Sequence, residues 1–372
     1  MKAAQNAELI SVGPSELVVT FTSEPGALVA TRVGDREVST SGPHHVARFD
    51  ALQPDTDYEI EVEGASPDDP WFPARVRTLR QPSGRLLATI ATANDVHFGE
   101  TECGRTGDPA TDAIGPILRA EPGDPPYPEV MNRAVVADMS RLDPDAVVVK
   151  GDLTDTGRPE EYDAFLSVYG ELGPRMRHVR GNHDAMRDPT MARQDAPYTV
   201  ELRGVTLAVL DTTLPGAVGG VLPAEQVGWL DDVAAMVPGP LLVFGHHPVW
   251  NIEAARVDSN YAIARDDSLA LVDVIARREN IAGYFAGHTH TNHVVRLGGA
   301  RAIPMVEVAC TKDYPGAWAE YRVYEGGYTQ VMRRVTDDAA FAWSERARTM
   351  IQGIYRDLVL GPVHSRCFTQ LF

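Results

Sequence analysis

Five apolar runs in this chain stop in the same way, each delivering cation-binding side chains at its C-terminal end. Leu86–Ala91 leads to Asn94-Asp95-Val96-His97, and Val147-Val148-Val149 leads to Gly151-Asp152. A third strand-like run ends in Gly181-Asn182-His183-Asp184. Leu241–Phe244 ends in Gly245-His246-His247-Pro248, and Ile281–Ala286 ends in Gly287-His288-Thr289-His290. A Val-rich run that breaks off in glycine plus a carboxylate reads as a buried strand whose C-terminal end opens into a site, the place where open α/β sheets bind ligands. Asp152 and Asn182 are therefore expected side by side.

Singly, each motif has an ordinary meaning: Gly-Asp is a common turn, Asn-His-Asp a capping cluster, and a His beside Pro a loop plug. Their recurrence at one end of successive strands points instead to a metal site. In extended backbone, residues i and i+2 share a face, so Asp95/His97 and His288/His290 can each aim two ligands together. If the backbone bends there, the paired histidines serve adjacent ions. Imidazole, carboxylate and one amide oxygen, without thiolate, suit Mn, Fe or Zn better than a structural zinc cage.

The rest of the chain frames this site. Residues 1–80 contain short β-rich runs between Gly, Pro and Asp punctuation, with no useful helical period. There Leu52-x-Pro54-x-Thr56-x-Tyr58 resembles the tyrosine corner of a fibronectin type III sandwich. His44-His45 lies on a strand of this module and is assigned no chemistry. Gln81-Pro82-Ser83-Gly84 reads as a linker. Residues 98–129, rich in Gly, Pro and acids, are either a lid over the site or a disordered insertion. Helices are expected over 130–142, 160–172 and 268–278, and a hairpin over 198–211 turning at Arg203-Gly204. Strands follow over 294–335. In 336–372 the spacing of Trp343, Ala347, Met350, Ile351, Ile354 and Leu358 predicts one amphipathic helix followed by a tail. That stripe is buried on its own domain or against another subunit, which leaves a homo-oligomer open.

Taken in order, Asp95-x-His97, Gly151-Asp152, Gly181-Asn182-His183-Asp184, Gly245-His246 and Gly287-His288-Thr289-His290 resemble the calcineurin-like metallophosphoesterases over residues 85–335. The resemblance implies a four-layer α/β sandwich, here preceded by the small all-β module. It also implies two divalent or trivalent metal ions sharing the carboxylate of Asp152, one taking Asp95, His97 and His290, the other Asn182, His246 and His288. A metal-bridging hydroxide would then attack phosphorus in line, with His183 as the non-ligand catalytic histidine and Asp184 orienting it. His247 either lines the pocket or packs; His178 and His293 are read as structural.

A fibronectin-like module ahead of such a domain is similar to purple acid phosphatases, yet their tyrosine ligand is missing from Asp152-Leu153-Thr154-Asp155-Thr156, and His97 departs from their first motif. Asp152-Leu153-Thr154-Asp155-x-Gly157, continuing to Glu161-Tyr162, instead resembles class III cyclic nucleotide phosphodiesterases and bacterial glycerophosphodiesterases. The reading is a phosphodiesterase acting on small diesters. The alternatives are a phosphomonoesterase and, from another class, a binding or adhesion protein with a vestigial metal site.

Composition narrows the partners. With 52 acidic against 34 basic residues the formal charge is −18, which repels nucleic acid polymers and anionic membranes but not a small anionic phosphoester met by metal ions. Cys103, Cys310 and Cys367 are too scattered for a disulfide framework and are expected reduced and structural. No apolar run is long enough for a membrane span, and no signal peptide is visible. The expectation is a cytoplasmic protein, or a secreted one if a signal peptide has been removed.

Overall fold

Short alternating strands need two facing sheets to bury one side each, and the first part of the chain supplies them. The structure, a computed structural model, describes residues 4–66, 69–105, 109–250 and 261–372. In the N-terminal part lie β1 (Gln5–Val12), β2 (Leu17–Thr22), β3 (Leu28–Val33), β4 (Arg36–Ser41), β5 (His44–Phe49), β6 (Asp57–Val62) and β7 (Arg75–Arg77). They form antiparallel sheets ordered β1-β2-β5 and β4-β3-β6-β7. In β3 and β5 burial alternates residue by residue, as in a sheet with one wet face. The Tyr58 hydroxyl accepts a 2.9 Å hydrogen bond from the Gln53 N–H, tying β6 back to the preceding loop as a tyrosine corner does. His45 is buried between the hydroxyls of Ser23 and Thr40, and His44 stacks on Phe341, so neither is free for chemistry.

Beyond residue 85 the elements are β8 (Leu86–Ala93), α1 (Pro109–Asp112), α2 (Tyr127–Leu142), β9 (Ala146–Lys150), α3 (Pro159–Tyr169), β10 (Met176–Val179), β11 (Tyr198–Leu202), β12 (Val205–Val209), α4 (Ala224–Met236), β13 (Leu241–Phe244), α5 (Arg265–Arg277), β14 (Ile281–Ala286), β15 (His293–Arg296), β16 (Pro304–Glu307), β17 (Ala317–Tyr324) and β18 (Gly327–Arg334). The chain closes with α6 (Asp338–Ala347), α7 (Tyr355–Val359), α8 (Val363–Arg366) and β19 (Cys367–Leu371). Among the described residues there are two six-stranded sheets, β10-β9-β8-β17-β18-β19 and β11-β12-β13-β14-β16-β15. β8, β9 and β10 run parallel in the first, and β12, β13, β14 and β16 in the second. Tyr321 and Tyr328 of the first sheet meet Phe285 of the second at ring distances of 4.9 and 5.9 Å, so the sheets pack face to face. Leu230 and Val233 of α4 and Leu271 and Val274 of α5 share one apolar cluster with the second sheet. Met131, Val135 and Phe165 of α2 and α3 pack into the cluster of the first. The result is the expected helix–sheet–sheet–helix sandwich.

Two expectations are revised. The stripe from Trp343 to Leu358 does not lie on one helix: α6 ends at Ala347, and Ile351, Gln352 and Gly353 follow with φ of 50°, 54° and 87°. Trp343, Ala347 and Met350 are buried, whereas Ile354 and Leu358 are each 50% exposed. The tail is not a simple extension either, because β19 pairs antiparallel with β18 and becomes the sheet's last strand. Within residues 98–129, Cys103 pairs with Leu118, Cys103 Sγ lies 3.6 Å from Met350 Sδ, and Tyr127 stacks on Trp343. The described part of this segment thus packs on the C-terminal helical region. Cys103, Cys310 and Cys367 are all buried and free.

Candidate metal centre

Parallel strands leave their C-terminal ends on one side, and β8, β9, β10, β13 and β14 bring all the sequence-predicted residues to that side. The turns that follow are tight. Asp95, His97, Asp152, His288 and His290 have φ of 52°, 44°, 48°, 71° and 56°, the left-handed region that non-glycine residues enter at a cost and that clusters at functional sites. The bent backbone decides between the two arrangements open from spacing: His288 and His290 turn to different neighbours instead of sharing one face. Glycine is required beside them. A Cβ on Gly151 would strike the His246 ring, and one on Gly181 would strike the Asp152 carboxylate.

Asp95, His97 and His290 form one cluster, with donor atoms within 4.8 Å of one another. His246, His247 and His288 form a second, the His246 and His288 rings 5.0 Å apart, and Asn182 Oδ1 is 3.1 Å from His246 Nε2. Asp152 stands between them: its Oδ2 is 3.6 Å from His97 Nε2 and its Oδ1 is 3.3 Å from His246 Nε2. One carboxylate therefore presents one oxygen to each cluster.

Several of these groups are left without a partner. Both ring nitrogens of His97 and Nε2 of His288 are buried and have no hydrogen-bond partner among the described residues, although buried polar atoms are nearly always hydrogen-bonded. Burial, reinforced by neighbouring histidines, pushes both rings well below the usual imidazole range. Asp152 is held well below the usual carboxylate range, its burial overcome by His246 and His183. Neutral His97 and His288 beside an ionised Asp152 are the protonation states a cation needs, whereas His246, its burial outweighed by Asp152, is pushed up to about 9 and would give up a proton to a cation; on those terms the residues fit a metal ion. His246 is anchored by the Lys150 carbonyl, 2.8 Å from its Nδ1. His247, for which lining and packing were both open, packs: Thr212 Oγ1 lies 2.9 Å from its Nδ1 and the Val218 carbonyl 3.1 Å from its Nε2. His178 is buried against Tyr162 and Gln194, and His293 pairs with Glu307 at the surface.

His183 sits at the rim, its side chain 39% exposed and its ring 4.6 Å from that of His97. Its Nδ1 is 2.6 Å from the Asp155 carbonyl, so Nδ1–H donates there and Nε2 is left for other work. Burial opposes protonation, but Asp152 and Asp155 outweigh it and raise the ring's pKa. Asp184 does not orient this ring. Its carboxylate accepts from the N–H groups of Gly181, Leu153 and Thr154 and from the Thr154 hydroxyl, stitching two ligand-bearing turns together. Burial and the nearby Asp152 push it up to about 6.

Sequence reasoning missed the loop after β16. Asp313 accepts from Cys310 Sγ at 2.8 Å and Tyr355 Oη at 3.1 Å, pairs with Lys312 at 3.1 Å, and lies in one donor cluster with His290. The only available signal was position, since Cys310-Thr311-Lys312-Asp313 follows another strand of the same parallel set.

Comparison with known proteins bears on this geometry. The model of the calcineurin-like phosphoesterase family matches residues 88–292, which include every candidate ligand. A probable cyclic nucleotide phosphodiesterase of Synechococcus is 27% identical over 52% of this chain and 76% of its own length. A cAMP/cGMP dual specificity phosphodiesterase of Mycobacterium tuberculosis is 32% identical over 41% of this chain and 50% of its own. A glycerophosphodiester phosphodiesterase of Enterobacter lignolyticus is 30% identical over 43% of this chain and 61% of its own. The chain thus spans half to three-quarters of the relatives it matches.

Proposed function

Because the chain belongs to the calcineurin-like phosphoesterases, metal-dependent hydrolases of phosphoric esters, we propose that it hydrolyses small phosphodiesters at a pair of metal ions. The observation that carries the reading is Asp152, with one carboxylate oxygen facing each cluster. Asp95, His97 and His290 would hold one ion, and Asn182, His246 and His288 the other, with Asp152 shared. When bound, such ions act as Lewis acids on phosphoryl oxygens and lower the pKa of water. The donor set suits Mn, Fe or Zn.

The protein's own groups supply the rest. His183, fixed through Nδ1 and with Nε2 left free, would deliver a proton to the leaving oxygen, where charge develops as the ester bond breaks. Asp184 acts through the backbone by holding the two ligand turns in register. The diester preference is supported by the names of the relatives, which are cyclic nucleotide and glycerophosphodiester phosphodiesterases. The organisation we infer is a fibronectin type III-like module over 1–80 and a catalytic domain over 85–335, to which 336–372 contributes. Among the described residues no helix is long and apolar enough to cross a membrane.

The test is metal analysis of the purified protein, followed by matched assays on bis(4-nitrophenyl) phosphate and 4-nitrophenyl phosphate. Two metals per chain and faster diester turnover are expected. Faster monoester turnover at full loading makes the protein a phosphatase, and an intact fold without bound metal removes the enzymatic reading.

A further inference from the structure

The rim of the metal centre has two unlike sides. On the His97 side it is acidic: Asp155 Oδ1 lies 3.9 Å from Nδ1 of both His97 and His183. The loops beside His288 and the turn after His183 carry large apolar side chains. Met186, Leu214, Val218 and Tyr261 are 39%, 43%, 42% and 45% exposed. They come from three loops that touch one another at the site. Gly216 N–H donates to the Ala185 carbonyl at 3.2 Å, which sets the 214–218 loop beside the turn that carries His183. The Val218 carbonyl accepts from His247 Nε2 at 3.1 Å, and the His247 ring is 4.6 Å from that of His288. Gly220 N–H donates to the Ala262 carbonyl at 3.0 Å, and the Tyr261 ring lies 5.8 Å from that of His288.

Large apolar side chains kept in water on adjoining loops mark a surface that binds something. Here the occupant is bounded by what lies next to it. A phosphodiester is an anion with two organic arms, and with phosphorus between the donor clusters an arm that passes His288 meets the Tyr261 ring and its neighbours. We propose that the wall formed by Met186, Leu214, Val218 and Tyr261 is the subsite for a flat apolar arm, a nucleobase or aryl group, and that the enzyme selects such diesters over diesters of glycerol. This rests on the phosphodiesterase reading and goes beyond it, because the relatives are named for both kinds of substrate. Tyr261 offers the ring face and the aliphatic side chains close the slot, while the acidic side accepts hydroxyl groups of the other arm.

The experiment compares the wild type with Tyr261→Ser and Val218→Ser, alone and together, on bis(4-nitrophenyl) phosphate and on glycerophosphoethanolamine, with metal content checked in each. The ratio of kcat/KM, aryl over glycerol diester, should fall about tenfold in the double variant, mainly through KM, as expected for a lost stacking partner. Binding of adenosine monophosphate measured by calorimetry should weaken in parallel. Met186→Ser and Leu214→Ser change only exposed side chains and should each move the ratio the same way even if the double variant does not fold. A ratio within twofold of the wild type in all of them, with unchanged nucleotide binding, overturns the subsite. A fully loaded wild type that cleaves the monoester but neither diester overturns the parent reading instead.

Discussion

Asp152 can face both donor clusters because β9 is buried on both sides and Gly151 leaves it with φ of 87°, turning the chain sharply at the strand's end. Replacing it with alanine should cost both activity and metal, since two cations that share a carboxylate repel each other once it is gone. Asp152→Ala is expected to bind fewer than two metals per chain by elemental analysis and to lose more than the ~100-fold that removing an outer partner costs. Two tightly bound ions with normal turnover would mean that Asp152 does not bridge. His183→Ala should keep both metals and lose about 10²–10⁴ in kcat, the range for removing a general acid. His178 gives a separate handle on pH. Burial lowers its pKa from 6.5 to about 4, so between those values the unfolded chain holds a proton that the folded chain does not. Its contribution is therefore complete above pH 6.5 and lost as pH falls toward 4. Urea midpoints followed over that window should decline, and less steeply in His178→Gln. At this scale the clustering of the candidate ligands was legible in the sequence, because each is announced by a strand end. It was poorly legible for Asp184 and Asp313: adjacency to His183 says nothing about direction inside a tight turn, and a loop carboxylate carries no spacing signal.

Strands and helices were legible wherever periodicity was tied to burial. The run Ala146–Lys150, buried throughout, and the hairpin turning at Arg203-Gly204 both follow from local pattern. The C-terminal region was not legible, for a reason visible in its backbone. A stripe at helical spacing continues through Ile354 and Leu358, but three successive left-handed residues at 351–353 redirect the chain, and tertiary contacts, not propensity, hold them there. Met350 is buried against Cys103 and Gln352 N–H bonds to the Gly115 carbonyl, partners far away in sequence. Strand β19 was hidden similarly, since a five-residue run of mixed polarity has no meaning until β18 lies beside it. The two arrangements differ in outcome. Phe368, 5% exposed and under the Arg296 guanidinium, should cost about 3 kcal/mol when replaced by alanine. Leu358→Ser, at a half-exposed position, should stay within about 0.5 kcal/mol. Denaturant midpoints of the two variants check this, and a large loss at Leu358 would restore the continuous buried stripe.

At the scale of the whole molecule, the seven N-terminal strands are joined to the rest of the chain through buried charge. Glu8, fully buried on β1, pairs with Arg348 at 2.7 Å and Arg334 at 3.3 Å, and Glu16 pairs with Arg333. The Arg366 guanidinium donates to the Leu9 and Ile10 carbonyls at 2.9 Å each. Removing residues 1–80 would strand these arginines, and breaking a buried pair by deleting one partner costs about 3–5 kcal/mol, mostly as uncompensated charge. A chain beginning at Gln81 should accordingly melt well below the full-length protein or fail to stay soluble. The consequence reaches the metal centre. Tyr314 donates its hydroxyl to Glu8 at 2.8 Å, and the residue before it, Asp313, lies in the donor cluster of His290. The loop that touches the module is thus the loop that supports a ligand. Glu8→Gln, which keeps the shape of the side chain and removes its charge, should lower Tm and also weaken metal binding at the Asp95, His97 and His290 cluster, by about tenfold if Asp313 behaves as an outer partner of His290. Metal titration of this variant beside Asp313→Asn separates the cases. Parallel loss in both means that the module helps to position the site; a lower Tm in Glu8→Gln with undiminished metal affinity means that the contact serves stability alone.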